Sequence, residues 1–458
     1  ALFLDAQGHA AVWAIGFAIT ALSGLLLWQC TKQHRRELQT RDGFLLVNLV
    51  WVVLPAYAAV PLLYTVPDIG WTKAYFESMS ALTATGATAI SGLDALPVSV
   101  NVWRCFLQLV GGLGIMLLVV AVLPLLGLGG VQLYRAETPG PMKDTKFTPR
   151  ISETARGRWG VYALFSVACM LAYRWAGMDW ADAFMHMCTT MGLGGFSSHD
   201  ASFGHWDSAK IEAVATVFMA LAGVSFMRYF MVLRHRTLRP LTHDREIRTY
   251  VAVLVVSIML VAVLLTAHGE YASFSEALRA SAFHVVSAAT TTGYASTDYA
   301  QWPVFAPVLL LFLGCFVSCA GSTGGGIKLV RMVLLIKQAR RELVRIVHPR
   351  VVNPVTLGGV IMPMSVMTAV LGYMLIYGAV TMGLTMVLLF TDLDIVTAFS
   401  AVVATVNNIG PGLGEVGPAS NFGVLNDFQI WVLTLAMLLG RLELLTVLVL
   451  FTGHFWRK

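Results

Sequence analysis

The sequence predicts an all-α membrane protein: four pseudo-symmetric units, each built as helix, pore helix, loop and helix around one central pore, plus an extra N-terminal helix. Three observations carry this reading. Of 458 residues, 57% are hydrophobic and only 12% charged, whereas a soluble chain carries about 25% charged residues. Apolar stretches such as Gly43 to Leu63, Phe106 to Leu126, Val251 to Ala267, Val304 to Cys319 and Ile430 to Leu450 approach or reach the roughly 20 helical residues that cross a hydrocarbon core. Between pairs of such stretches, a shorter half-polar segment ending in a glycine motif recurs four times.

Taken in chain order, residues 1–42 hold the extra helix and a cytoplasmic loop. The apolar stretch from about Ala10 to Trp28 is followed by further spans, so it reads as a membrane helix and not as a cleaved leader. The four units then occupy 43–135, 136–240, 241–350 and 351–458. Charge fixes their orientation. Lys32, Arg35, Arg36 and Arg41 follow the first span. Further basic clusters run from Arg135 to Arg158, Arg234 to Arg248 and Lys328 to Arg350, while the intervening connections are mostly acidic. Basic connections stay in the cytoplasm, so the net charge of +6 reflects topology. Divided among short loops, it does not describe a nucleic-acid surface. The six cysteines show no zinc-ligand spacing; Cys315 and Cys319 read as small packing residues.

The recurring segments are FESMSALTATGATAISG from Phe76, FMHMCTTMGLGGFSS from Phe184, FHVVSAATTTGYAST from Phe283 and FSAVVATVNNIGPGLG from Phe399. Each opens on an aromatic residue, continues as nine or ten helix-compatible residues, and ends at a glycine: Gly86, Gly195, Gly293 and Gly410. Gly195 is preferred to Gly194 because Gly-Phe-Ser then aligns with Gly-Tyr-Ala and Gly-Ala-Thr. Ten helical residues span only about 15 Å, half a membrane, so each segment must turn back at mid-depth. Irregular backbone is tolerated there only when buried or lining water. Small-residue helix packing accounts for one such segment, but not for four in external connections.

Such a constellation suits a monovalent cation. Backbone carbonyls from four loops can replace an ion's water shell, glycine permits the positive φ that turns successive carbonyls inward, and helix C-termini direct negative dipole ends at the site. The expected ligands are Ala84, Thr85 and Gly86; Leu193, Gly194 and Gly195; Thr291, Thr292 and Gly293; and Asn408, Ile409 and Gly410. Among the external carboxylates, Glu77, Asp298 and Glu415 read as solvated loop charge that attracts cations. His186, His284, His199 and His205 read as structural or surface residues. SCAGSTGGG from Ser318 disfavours continuous helix, since each glycine costs about 1 kcal/mol relative to alanine. A broken helix with a loop beneath the filter is expected. Lys328 is followed by Leu329, so the string is not a nucleotide-binding P-loop.

TATGAT at Thr83, VQLYRAETPGPMKDTKFTPRI at Val131, GGFSSHDAS at Gly194, CAGSTGGGIKLVRM at Cys319, NNIGPGLGEV at Asn407 and GRLELLTVLVLF at Gly440 resemble the Trk/Ktr/HKT superfamily, specifically bacterial Trk-type potassium uptake membrane subunits. The likeness covers nearly the whole chain. It implies gated potassium uptake across the bacterial inner membrane by a multi-pass homodimer that meets lipid and a cytosolic regulatory ring. NADH or ATP would bind that ring; this chain would carry no covalent cofactor, only the transported ion. Glycine at the first filter position, Gly86, goes with potassium preference in plant relatives. The resemblance also implies that Gly321, Ser322, Thr323, Gly324, Gly325, Gly326 and Lys328 form the gate. Chains of this type carry two spans before the first unit, where one is visible here.

Arg441 lies within the last apolar span, where an arginine costs roughly 2.5–3.5 kcal/mol, so a functional or paired role is the default. The resemblance places it below the filter, beside the gate. Glu443, two residues on, points to another face and reads as a poor partner. Arg228 reads as a snorkelling residue. Two other readings stand beside the gated pore. A proton- or sodium-coupled symporter needs an ionisable residue in the path, and the four loops hold none. An intramembrane enzyme needs positioned acid–base or nucleophilic groups, and the spans hold no such cluster.

Overall fold

The structure, a computed structural model, describes residues 10–33, 39–125, 151–357 and 360–457. Arg35, Arg36, the basic cluster from Arg135 to Arg150, and the string beginning at Val131 lie outside them. Among the described residues the fold is helical, apart from the two-residue strands Thr356–Leu357 and Val360–Ile361, which pair antiparallel. Helix α1 (Ala10–Thr31) has only 11% of its apolar window buried. A helix that is apolar and uncovered on most sides belongs in lipid. Its inner face meets α2 (Thr40–Thr65) through Gly16 against Pro61, and Trp13 stands edge-on to Trp103 with ring centroids 5.5 Å apart. Four described helices are long and apolar enough to cross a membrane, or up to six if each of two bent pairs is one span. The chain is a multi-pass membrane protein.

Each unit places a short helix between two longer segments. In the first, α2 leads to α3 (Gly70–Leu82) and α4 (Val98–Leu125). In the second, α5 (Ile151–Ala176) leads to α6 (Trp180–Gly192), α7 (Ala209–Ala222) and α8 (Phe226–His235). In the third, α9 (Arg245–Ala267) leads to α10 (Phe274–Ala289), α11 (Phe305–Phe316) and α12 (Leu329–Val347). In the fourth, α13 (Met364–Leu389) leads to α14 (Ile395–Val406), α15 (Asp427–Arg441) and α16 (Leu445–Leu448).

The short helices begin before the aromatic residue that marks them in sequence and run 13, 13, 16 and 12 residues. At 1.5 Å per residue the longest reaches about 24 Å, still short of a bilayer core. Three start on side-chain caps: Asp179 accepts from Asp182 N, Ser273 from Glu276 N, and Asp394 from Val396 N and Thr397 N. Such caps satisfy amides that a first helical turn leaves unpaired.

Packing closes the four units into a cycle. Each short helix packs within its unit and also against the returning helix of the preceding one: α4 on α6, α7 on α10, α11 on α14, and α15 on α3. Glycines let the returning helix press closely on the short helix of its own unit. A Cβ at Gly111 would lie 2.0 Å from Leu82 O, and one at Gly440 would lie 1.9 Å from Val406 O.

Three returning segments are interrupted. The α7–α8 pair bends by 85° and the pair formed by Asp427–Arg441 and Leu445–Phe451 by 106°, while α11 and α12 are separated by 317–328. The apolar stretch Ile430 to Leu450 therefore is not one straight span. Glu443 and Leu444 take φ of 56° and 52°, outside the right-handed helical region. Leu444 N bonds Leu439 O at 2.7 Å and Glu443 N bonds Gly440 O at 3.2 Å, which closes α15 with a Schellman turn.

The external face of the first unit is held by an ion pair. Glu77 and Arg104 are 0% and 1% exposed, with Arg104 Nε donating to Glu77 Oε1 at 2.8 Å. Glu77 also accepts from Ala89 N at 2.9 Å and from Thr88 Oγ1 at 3.0 Å. It is thus not a solvated loop charge: its helix carries it inward, where the loop amide and the guanidinium replace water. Arg228 likewise does not merely snorkel, since it pairs with Asp244, the cap of α9.

Replacing Arg104 by Met should destabilise the purified protein by roughly 3–5 kcal/mol, because it leaves a buried carboxylate unpaired; removing both charges together should recover much of that loss in a thermal unfolding assay. Gly440→Ala should cost roughly 1–3 kcal/mol through overpacking. Gly372→Ala, where the added carbon meets nothing within 4 Å, is the neutral control.

Candidate functional site

The four glycine segments end in one repeated turn. Thr85 N bonds Ser80 O at 2.9 Å, Gly194 N bonds Thr189 O at 2.9 Å, Thr292 N bonds Ser287 O at 2.8 Å and Ile409 N bonds Ala404 O at 2.8 Å. The preceding amides, of Ala84, Leu193, Thr291 and Asn408, bond Ala81 O, Thr190 O, Ala288 O and Thr405 O. These are the two bonds of a Schellman motif, whose turning residue needs positive φ. That residue is never glycine here: Ala84, Leu193, Thr291 and Asn408 have φ of 50°, 51°, 61° and 55°. Two residues on, Gly86, Gly195, Gly293 and Gly410 have φ of 83°, 74°, 85° and 102°. Gly195, not Gly194, therefore occupies the position shared by the other three.

The structure brings these loops together around one ring. A Cβ at Gly86 would lie 2.1 Å from Gly194 O, one at Gly195 1.9 Å from Thr292 O, one at Gly293 2.0 Å from Ile409 O, and one at Gly410 2.9 Å from Thr85 O. The contacts run from the first unit to the second, third, fourth and back to the first. At each step a carbonyl oxygen of one unit fills the place where its neighbour's side chain would be. A cavity of about 80 Å³ opens beside the ring, lined by Gly86, Gly195, Gly293 and Pro411 from all four units. Asp298 and Glu415 do not line it; Asp298 caps a turn by accepting from Ala300 N.

Each loop is tied back to its own short helix by a buried polar side chain. Glu77 accepts from Ala89 N, and His284 Nε2 accepts from Ser296 N at 3.2 Å while its Nδ1–H donates to Ala280 O at 2.8 Å. His186 bonds Ser197 Oγ through Nε2 at 3.0 Å and Asp182 O through Nδ1 at 2.9 Å. Ser400 Oγ accepts from Leu413 N at 2.8 Å. Their shared placement, nine or ten residues before the glycine, is visible once the four segments are aligned. Read residue by residue, these groups pass for ordinary core polarity. Gln108 adds a clamp around the second loop, donating to Gly194 O at 2.7 Å and accepting from Phe196 N at 3.2 Å. Between units, Asn408 Nδ2 donates to Thr85 Oγ1 at 2.8 Å.

The segment 317–328 reaches the C-terminal ends of three short helices. Thr323 Oγ1 donates to Met191 O at 3.0 Å and Gly325 N to Thr291 Oγ1 at 2.8 Å. A Cβ at Gly325 would lie 2.2 Å from Asn407 O and one at Gly324 would lie 2.9 Å from Thr290 O. The segment is held within itself by Ser318 Oγ on Gly325 O at 2.5 Å and by Lys328 Nζ on Gly324 O and Gly325 O. Gly321, with φ of 80°, receives Phe226 N on its oxygen and abuts Ser225, while Ser322 Oγ bonds Cys319 O. Gly326, with φ of 75°, turns the chain toward Ile327, whose amide bonds Cys315 O at 2.8 Å. Cys315 lies near the end of α11 and Cys319 in the irregular segment, both buried.

Arg441 is 2% exposed and donates to Thr323 O and to Gly111 O, both at 3.0 Å. It therefore joins the fourth unit to the irregular segment of the third and to α4 of the first. Its Nε has no hydrogen-bond partner among the described residues. Glu443 pairs instead with Arg331, whose guanidinium lies 4.3 Å from the centre of the Tyr373 ring.

The TrkH family model, described as a cation transport protein, matches residues 9–458. A relative from Vibrio parahaemolyticus named Trk system potassium uptake protein TrkH is 46% identical over 445 residues, covering 96% of this chain and 91% of its own length. Its namesake from Escherichia coli strain K12 is 43% identical over 458 residues, covering 100% and 94%. The crystal structure of the potassium transporter TrkH from Vibrio parahaemolyticus superposes with a TM-score of 0.89 at 42% identity, covering 98% of this chain and 93% of that one. A helical membrane scaffold, four loops meeting in one ring and full-length likeness to transport proteins lead to one assignment: this chain is no enzyme but a member of the TrkH family of cation transport proteins.

Proposed function

We propose that the chain takes up potassium across the bacterial inner membrane, with the four-loop ring as its selectivity filter. The observation that carries this reading is the ring's construction, in which a carbonyl oxygen from each unit lies against the glycine of a neighbour. Oxygen ligands without fixed countercharge suit a dehydrated monovalent ion, which must be held firmly enough to enter and loosely enough to leave. The short helices end at the ring with their C-termini, so their dipoles add favourable potential there. The names of the relatives supply the choice of potassium.

In this reading the gate is residues 321–326 with Lys328, inside the segment 317–328. Lying against Met191, Thr291 and Asn407, it obstructs the exit from the ring and must withdraw for ions to pass. Arg441 holds it through Thr323 O and opposes a cation at the same depth. Pairing of two chains and control by a cytosolic nucleotide-binding ring belong to the same proposal, on the family resemblance.

Reconstituted in vesicles under a set potassium gradient, the chain should carry potassium whether or not a sodium gradient is added. No cation flux with the gate withdrawn would end the proposal. Gly195→Ala and Gly293→Ala should abolish flux, because the added carbon displaces a neighbour's carbonyl. Arg441→Ala should change flux; uptake identical to wild type across ionic conditions would remove Arg441 from gating.

A further inference from the structure

The external connections of the first two units bring together a group of side chains that permeation does not use. Asp94, His199 and His205 each offer one ligand atom, and these atoms lie within 4.8 Å of one another. The imidazoles of His199 and His205 stack at 3.5 Å with planes 6° apart. Parallel rings do not aim their in-plane lone pairs at one point, so the exposed His205 ring must turn for its nitrogen to share an ion with His199. Behind them, Asp182 Oδ2 lies 3.3 Å from His199 Nε2, and Ser198 Oγ donates to Asp182 Oδ1 at 2.7 Å.

The bond to Asp182 places a proton on His199 Nε2. His199 Nδ1 faces Asp94 Oδ1 within bonding distance, and Asp94 Oδ2 accepts from Asp200 N at 3.2 Å. Nδ1 is then the nitrogen left to coordinate an ion, with the Asp94 carboxylate beside it. Asp182 plays the part of the outer carboxylate that commonly orients a metal-binding histidine.

We propose that Asp94, His199 and His205 form a binding site for a divalent transition-metal ion of the zinc class at the external rim of the ring. Two imidazole nitrogens and one carboxylate oxygen favour such an ion over magnesium or calcium, which prefer oxygen ligands. The site adjoins the path, because His199 and Asp200 line the same cavity as Gly86, Gly195 and Gly293. A dication there opposes the approach of another cation, less so as salt rises.

The site goes beyond the permeation reading and is tested without transport. Zinc chloride titrated into the purified full chain by calorimetry should give one saturable site per chain. His205→Gln, which alters an exposed side chain, and Asp94→Asn should each weaken binding roughly tenfold or more. His268→Gln, an exposed histidine after α9, should leave it unchanged. No saturable binding by wild type, or wild-type affinity in both His205→Gln and Asp94→Asn, would overturn the site.

Discussion

Everything near the centre of this molecule depends on one steric condition: a carbonyl oxygen of each unit occupies the volume where its neighbour would otherwise carry a side chain. Four such contacts close on themselves, so no loop can be positioned independently. The condition fixes where the short helices end and why each ends in the same pair of backbone bonds. It also explains the close packing around the ring, where Gly111 and Gly440 let returning helices press against Leu82 O and Val406 O. Bulk in the ring separates two units, while bulk at Gly111 or Gly440 pushes a returning helix off the short helix of its own unit.

Polar groups hold this arrangement within an apolar surrounding. Glu77, His186, His284 and Ser400 are chemically unlike, yet each bonds the chain just after it leaves the ring. What the position requires is a buried group that can bond the returning segment, not one residue type. In the first unit that group is a carboxylate, and Arg104 accompanies it because an unpaired charge at that depth would cost several kcal/mol. The second and third units use imidazoles; that of His284 is neutral, because its Nε2 accepts from Ser296 N, and needs no counterion. The four units thus meet one geometric demand by different electrostatic means.

Much of this was legible in the sequence. Low charge, long apolar stretches and the alternation of basic and acidic connections define the membrane fold, and fourfold recurrence of the glycine segments marks where the chain turns back. The unread parts follow from the limits of residue-type reasoning. Glycine signals positive φ, but Ala84, Leu193, Thr291 and Asn408 adopt it because the Schellman turn imposes it against their own preference. Hydropathy sees a continuous span from Ile430 to Leu450, while the turn after Arg441 is set by backbone bonds and tertiary contact. The assembly of His199 with Asp94 was equally hidden, because the residues sit 105 positions apart in different units.

The cyclic packing also has a consequence for how the molecule comes into being. Helix α3, in the first unit, takes its second neighbour from α15, in the last. During synthesis, therefore, the first three units can dock in order while one flank of α3 stays uncovered until nearly the whole chain has been inserted. Formation of the ring is a late event that joins the ends of the sequence, a long-range closure of the kind that slows folding. Until then, backbone groups that later face one another must find temporary company in lipid, water or the insertion machinery.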